Sequence, residues 1–256
     1  MKRYHILLLT LLSVAACKEP VIRGQASPSS RVLFVTSNQH TYGNTKQNTA
    51  NHFGEIVIAY DVLRKAGYDI DFVSPEGGAI PVGYLKTSDS IQKKYLYDTN
   101  FMSLLKHTLK PEDITASEYK AIYYSGGGAA MFGVPENKLL QDIAAQIYEN
   151  NGVVSAICHG TAGIVHIKDK KGQYIYYGKH VNGFPDKFEN PKAPYYQEFP
   201  FSIENKIREN GGVYTSSEKG WDNFFVVDGR LITGQDPSAT ASVANEIIKK
   251  IENKHH

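Results

Sequence analysis

The segment Val153-Val154-Ser155-Ala156-Ile157-Cys158-His159-Gly160-Thr161-Ala162-Gly163 constrains this chain more than any other. A short, β-branched apolar run stops at Cys-His-Gly, and the small residues after it suit the opening of a helix. A strand that turns sharply into a helix exposes its turn residue at the top of a sheet. Here that residue is a thiol, and the positive end of a following helix would favour its thiolate. The chain has two cysteines. The other, Cys17, falls in an N-terminal segment with a separate role, so Cys158 has no disulfide partner within the folded part. A buried apolar cysteine is the structural alternative.

The N-terminus reads as an export signal. Lys2 and Arg3 precede an apolar stretch from Ile6 to Ala16, too short for a bilayer span of roughly 20 residues. Val14-Ala15-Ala16-Cys17 resembles a bacterial lipobox, with Cys17 as the lipidated first residue of the mature protein, and Lys18 resembles the outer-membrane class. Residues 1–17 are therefore expected to be a lipoprotein signal, 18–30 a flexible Pro/Ser/Gly-rich linker, and 31–252 the folded domain. The expected location is the bacterial cell envelope, with the domain held to the membrane only through the lipid. In such an oxidising space a free thiol needs shielding or a chemical use.

Net charge is +2, with 41% hydrophobic and 21% charged residues. That is ordinary for a globular domain and gives no basic stripe for nucleic acid. Arg31–Thr36 reads as a first strand and Ser37–His52 as a long polar loop, a length that is often functional. Phe53–Ala66 reads as a helix stopped by Gly67, and Tyr68–Val73 as a second strand. This is a βαβ unit, which implies a parallel sheet. A helix over Asp98–His107, a strand over Lys120–Tyr124 and a helix over Pro135–Asn150, with Pro in its first turn, come next. After the Val153–Ile157 strand come its helix to Ile167, a hairpin around Gly172, a helix over Phe201–Asn210, a hairpin turning at Asp228-Gly229 and a closing helix over Pro237–Ile251. No element is assigned between Gly78 and Asp98. The Lys254-His255-His256 tail is read as a frayed end.

Four segments in this order resemble the ThiJ/PfpI family of the class I glutamine amidotransferase-like superfamily, in its heat-shock chaperone and glyoxalase III branch. They are Gly54-Glu55 with Ala66–Gly78, Tyr124–Pro135, Ala156–Gly160 and Val226–Pro237. The resemblance implies a single α/β domain with a flavodoxin-like parallel sheet sandwiched by helices, and a site at the carboxyl ends of the strands. It implies Cys158 as nucleophile, Glu55 as the carboxyl group on its sulfur, and His159 as the histidine of a Cys-His-acid triad. Glu189, in Gly183-Phe184-Pro185-Asp186-Lys187-Phe188-Glu189, is the first choice for the acid and Asp186 the reserve. Gly127 and Gly128, with the N–H of His159, would face an oxyanion; a turn that needs positive φ also accounts for these glycines. The chain departs from the branch at Gly128, where a histidine is usual, and at Gly133, Ala59 and Gly83.

Three functions follow from these residues. The first is a cofactor-free and metal-free enzyme on small reactive carbonyls, converting 2-oxoaldehydes to hydroxy acids through Cys158. The second is an amidase, peptidase or deglycase using the same sulfur; a glutaminase would need a His-x-Glu after the elbow, which is missing. The third is an envelope chaperone or an oxidation sensor built on a Cys158 sulfinic acid. Family members are often dimers, so a homodimer is expected.

Overall fold

The computed structural model describes residues 31–253. The signal segment with Cys17, the linker to residue 30 and the Lys254-His255-His256 tail lie outside the described residues. Strand β1 (Arg31–Val35) is followed by a two-residue strand β2 (Asn51–His52), helix α1 (Phe53–Lys65) and β3 (Asp69–Val73). Next come β4 (Val82–Gly83), α2 (Ser90–Leu96), α3 (Thr99–Lys106), β5 (Tyr119–Tyr124), α4 (Lys138–Glu149) and β6 (Val153–Ile157). The chain continues through β7 (His180–Val181), α5 (Pro194–Gln197), α6 (Ile203–Glu209), β8 (Val213–Tyr214), β9 (Phe225–Asp228), β10 (Leu231–Gly234) and α7 (Thr240–Glu252).

Six strands form the main sheet in the order β3-β1-β5-β6-β10-β9. The first five are parallel neighbours, in the 2-1-3-4-5 order of flavodoxin-like sheets. The expected parallel sheet carries one antiparallel edge strand, from the hairpin that the Asp-Gly turn predicts. The Asp228-Gly229 turn, with Gly229 at φ +62°, folds β9 back antiparallel along the edge of β10.

Strand alternation divides the core between the two faces. Val32 and Phe34 of β1, Tyr123 of β5 and Ile157 of β6 pack with Ile56, Val57 and Leu63 of α1 and with Val243 and Ile247 of α7. Leu33 and Val35, Ile122 and Tyr124, and Val154 and Ala156 point the other way, onto Leu140, Ile143 and Ile147 of α4 and Ile203 and Ile207 of α6. With both faces covered, these strands read as nearly continuous apolar runs rather than alternating ones. Each such side chain contributes roughly 1.5–3 kcal/mol when taken from water.

Four expectations need correction. Helix α4 begins at Lys138, three residues after Pro135, because the Asn137 side chain caps it by accepting the N–H of Leu140 at 3.0 Å. Helix α2 was not expected: its seven residues bury only Gln92 and Tyr95, and it relies on Asp89 accepting the N–H groups of Ile91 and Gln92. The hairpin around Gly172 has no strands and closes by one bridge, Lys168 to Tyr174. The segment after β6 is not an α-helix to Ile167. It is a tight 3-10 run over Cys158–Ile164. There Gly160 and Gly163 press against the end of β5; a β-carbon on Gly160 would lie 2.8 Å from the carbonyl carbon of Ser125.

The closeness at Gly160 gives a direct test. Gly160→Ala should cost about 1–3 kcal/mol through overpacking, lowering the melting temperature by roughly 3–10 °C for a domain of this size. Gly172, at φ +79° with nothing within 4 Å, should accept Asn with little change. Calorimetry on both variants checks this, and equal melting temperatures would contradict it.

Candidate active site

The parallel strands aim their carboxyl ends at one edge, and three loops there build the pocket. Cys158 follows β6 directly and takes φ +55°, a left-handed conformation that a non-glycine residue adopts only under constraint. Its side chain is 4% exposed. Its neighbour His159 brings Nδ1 to 3.6 Å from the sulfur. His159 Nε2 lies 2.6 Å from Oε1 of Glu189. With Nε2–H donating to Glu189, Nδ1 carries the lone pair and faces the thiol. Phe184 stacks on the imidazole at 4.8 Å, and Phe199 lies tilted against it at 5.3 Å.

Glu189 holds this position because a 3-10 turn, Asp186–Phe188, carries it there, and because its Oε2 accepts the Tyr195 hydroxyl at 2.9 Å. Asp186, the reserve choice, does not reach the imidazole. It accepts the Ser202 hydroxyl at 2.5 Å instead. Cys158, His159 and Glu189 thus stand in line, in the order thiol, imidazole, carboxylate.

Glu55 lies in the first turn of α1 and is fully buried. Its Oε2 accepts the Gly126 N–H at 2.6 Å, and its Oε1 has no hydrogen-bond partner. The carboxyl of Glu55 and the thiol of Cys158 are close enough that each shifts the other's titration. Burial pushes the Glu55 carboxyl up to about 8, against the Gly126 N–H, which pulls it down. At neutral pH the group therefore keeps its proton, and Oε1 is the oxygen free to carry it.

The expectation of a resting thiolate is corrected. The 3-10 run supplies no long helix dipole, and burial pushes the Cys158 thiol up, reinforced by the Glu55 charge once that carboxyl ionises. The N–H groups of His159 and Gly127 oppose this by pointing at the sulfur. Only one of the two expected glycine N–H groups faces the sulfur. Gly127 sits at φ +92°, and a β-carbon there would meet the His52 nitrogen at 2.6 Å. The next peptide turns away, so Gly128 donates its N–H to the Tyr84 hydroxyl at 3.3 Å.

His52 and Tyr84 belong to the site and were not among the expected residues. His52 caps α1, its Nδ1 accepting the Glu55 N–H at 3.2 Å, and burial pushes it down to about 4, so it is a neutral imidazole. Tyr84 stacks on it at 5.0 Å. Together with Trp221 they line a cavity of about 430 Å³. The one sequence signal for His52 is its position at the start of a helix whose first turn holds Glu55. Tyr84 had none. Among the described residues, no three His, Cys, Asp or Glu side chains come together in a way that could hold a metal ion, and no helix is long and apolar enough to cross a membrane.

Glu55 leaves a signature in stability. Between about 4.5, its ordinary value, and 8 the folded state holds a proton that the unfolded chain has released. Stability from this group is complete below that window and falls as pH rises through it. Glu55→Gln removes the effect. The melting temperature of the variant minus that of the parent should rise from pH 5 to pH 8, and a difference that stays flat would mean an ordinary carboxyl.

Known proteins resemble this chain along most of its length. The model of the DJ-1/PfpI family matches residues 51–250. The glutathione-independent glyoxalase HSP31 of Saccharomyces cerevisiae is 30% identical over 237 residues, covering 89% of this chain and 100% of that protein. Glyoxalase 3 of Candida albicans is 30% identical over 234 residues, covering 86% and 98%. Among solved structures, the 24 kDa rapid encystment protein of Francisella tularensis superposes with a TM-score of 0.81 at 31% identity, covering 87% and 99%. Glyoxalase III of Candida albicans gives 0.79 at 27% identity, covering 87% and 98%.

Proposed function

Given that this chain belongs to the DJ-1/PfpI family, we propose that it is a glutathione-independent glyoxalase that converts 2-oxoaldehydes to 2-hydroxy acids through Cys158. The relatives named glyoxalases along nearly their whole length support the enzyme class. The observation that carries the chemistry is the line of Cys158, His159 and Glu189, at 3.6 and 2.6 Å, with the buried Glu55 carboxyl also acting on the thiol.

The reaction follows from the protons. The thiol is not ionised in advance, so attack on the aldehyde carbon moves its proton to Nδ1 of His159, and Glu189 stabilises the imidazolium that forms. The sulfur bonds to the aldehyde carbon and gives a hemithioacetal. The N–H groups of Gly127 and His159 face the oxygen that gains charge. The hydrogen on that carbon leaves as a proton and returns at the neighbouring carbonyl carbon, through an enediol. Glu55 near neutrality suits this step, since a carboxyl that titrates at about 8 both gives and takes protons. The product is a thioester of the hydroxy acid. Water splits it, releasing the carboxylate and restoring the thiol. The first carbon is oxidised, the second is reduced, and no external redox partner is needed.

Purified full-length protein given methylglyoxal without glutathione should form lactate. Cys158→Ala should abolish the product. Glu189→Gln should lower kcat by roughly 10²–10⁴-fold, the worth of positioned acid-base catalysis, whereas Asp186→Asn should leave it near the parent value. Lactate formed at the parent rate by Cys158→Ala would end this reading. No lactate from the parent protein would do the same.

A further inference from the structure

Beside the elbow lies a second cavity of about 570 Å³, between the polar loop after β1 and the chain around β4. His40, Tyr42, Gln47, Asn48, Thr49 and Tyr84 line it, and no Asp, Glu, Lys or Arg does. We propose that this cavity is a subsite for the hydroxylated tail of an uncharged, sugar-derived 2-oxoaldehyde, whose aldehyde end reaches Cys158. The inference rests on the thiol chemistry proposed above and names the substrate class that the site takes.

Three observations carry it. The first is an unused polar group. Thr49 is 7% exposed, lines the cavity, and its hydroxyl has no hydrogen-bond partner. Buried hydroxyls are rarely left this way, because desolvation without a partner is unfavourable. A ligand hydroxyl in the cavity would supply the partner.

The second is adjacency to the sulfur. Gly127 points its N–H at Cys158. Gly128, the next residue, donates its N–H to the Tyr84 hydroxyl at 3.3 Å, and that hydroxyl lies 3.2 Å from the hydroxyl of Tyr42. Both phenols line the cavity. Thr49 Oγ1 lies 2.6 Å from the point where a β-carbon on Gly128 would stand. The absence of a side chain at 128 is what lets Tyr42 and Thr49 approach so closely. The Tyr84 hydroxyl therefore joins the cavity wall to the peptide beside the elbow, and it occupies an N–H that a ligand oxygen can take over.

The third is the match of chemistry. The lining offers hydroxyl, amide and imidazole groups, which pair with a row of alcohol groups. It offers no carboxylate and no fixed cation, so a phosphate or carboxylate tail finds no counter-charge. The volume falls within the range of small-molecule sites and far exceeds what a three-carbon oxoaldehyde fills. The overall conversion, R–CO–CHO plus water to R–CHOH–COO⁻ plus a proton, is the same for a long tail as for a short one.

The test uses the full-length chain with 3-deoxyglucosone and with methylglyoxal as probes. Thr49→Val keeps the shape and removes the hydroxyl. It should lower kcat/KM for 3-deoxyglucosone about tenfold, the worth of one hydrogen bond, mainly through KM. The value for methylglyoxal should stay within about twofold of the parent. Thr49→Ser should recover most of the loss. Equal losses on both substrates, or no loss on either, would overturn the subsite. Binding of 3-deoxyglucosone to Cys158→Ala, read by titration calorimetry, separates the two claims. Saturable binding that Thr49→Val weakens about tenfold supports the subsite, even if neither probe is turned over and the thiol chemistry falls. Absence of binding overturns the subsite, even if methylglyoxal is converted.

Discussion

Burying a carboxyl group without a cation beside it is strongly unfavourable unless the group keeps its proton. Glu55 is fully buried, and the groups that act on it are the Gly126 N–H, the Cys158 thiol and the charge of Asp236, none of them a cation. The fold holds it there from several sides. The Tyr123 hydroxyl, from β5, donates to the Glu55 carbonyl at 3.0 Å. The His52 ring accepts its N–H. The Gly126 N–H takes one carboxyl oxygen. The chemistry of the pocket follows from this constraint: a neutral acid acts on a thiol that burial keeps protonated, and the base must be a different group.

That base is positioned by topology. In the 2-1-3-4-5 order, the segments after β1, β5 and β6 meet at one end of the sheet, and they carry Glu55 in the first turn of α1, Gly126-Gly127 and Cys158. The turn at Cys158 is strained, and it is kept because Gly160 lets the following run lie against the end of β5. With Cys158 at positive φ, the next residue turns its ring back toward the sulfur rather than to solvent. Glu189, a partly buried carboxylate from a distant loop, then fixes which ring nitrogen carries hydrogen. Strain at the elbow and close packing beneath it are two sides of one arrangement.

Much of this was legible in the amino-acid sequence because it depends on local rules. The Val153–Ile157 run, the Phe53–Lys65 helix and the Asp228-Gly229 hairpin each carry their own periodicity or turn residues. What escaped depends on contacts between segments. The run after Cys158 looks helical in composition, yet its packing on β5 tightens it to 3-10. The choice between Asp186 and Glu189 is made by the Tyr195 and Ser202 hydroxyls, which no spacing rule announces. Tyr84 enters the site through a short bridge between β2 and β4, pairing Asn51 with Val82, which is too short to leave a pattern. Gly128 loses its expected role for the same reason, since its N–H finds Tyr84 first.

The chemistry of the pocket depends on the protonation of Glu55, and infrared difference spectroscopy of the parent protein against Glu55→Gln reads it directly. A protonated carboxyl band should be present at neutral pH and disappear with a midpoint at about 8. A carboxyl band that is already gone by pH 6, leaving only the carboxylate signal, would contradict the account and return the pocket to an ordinary ionised glutamate.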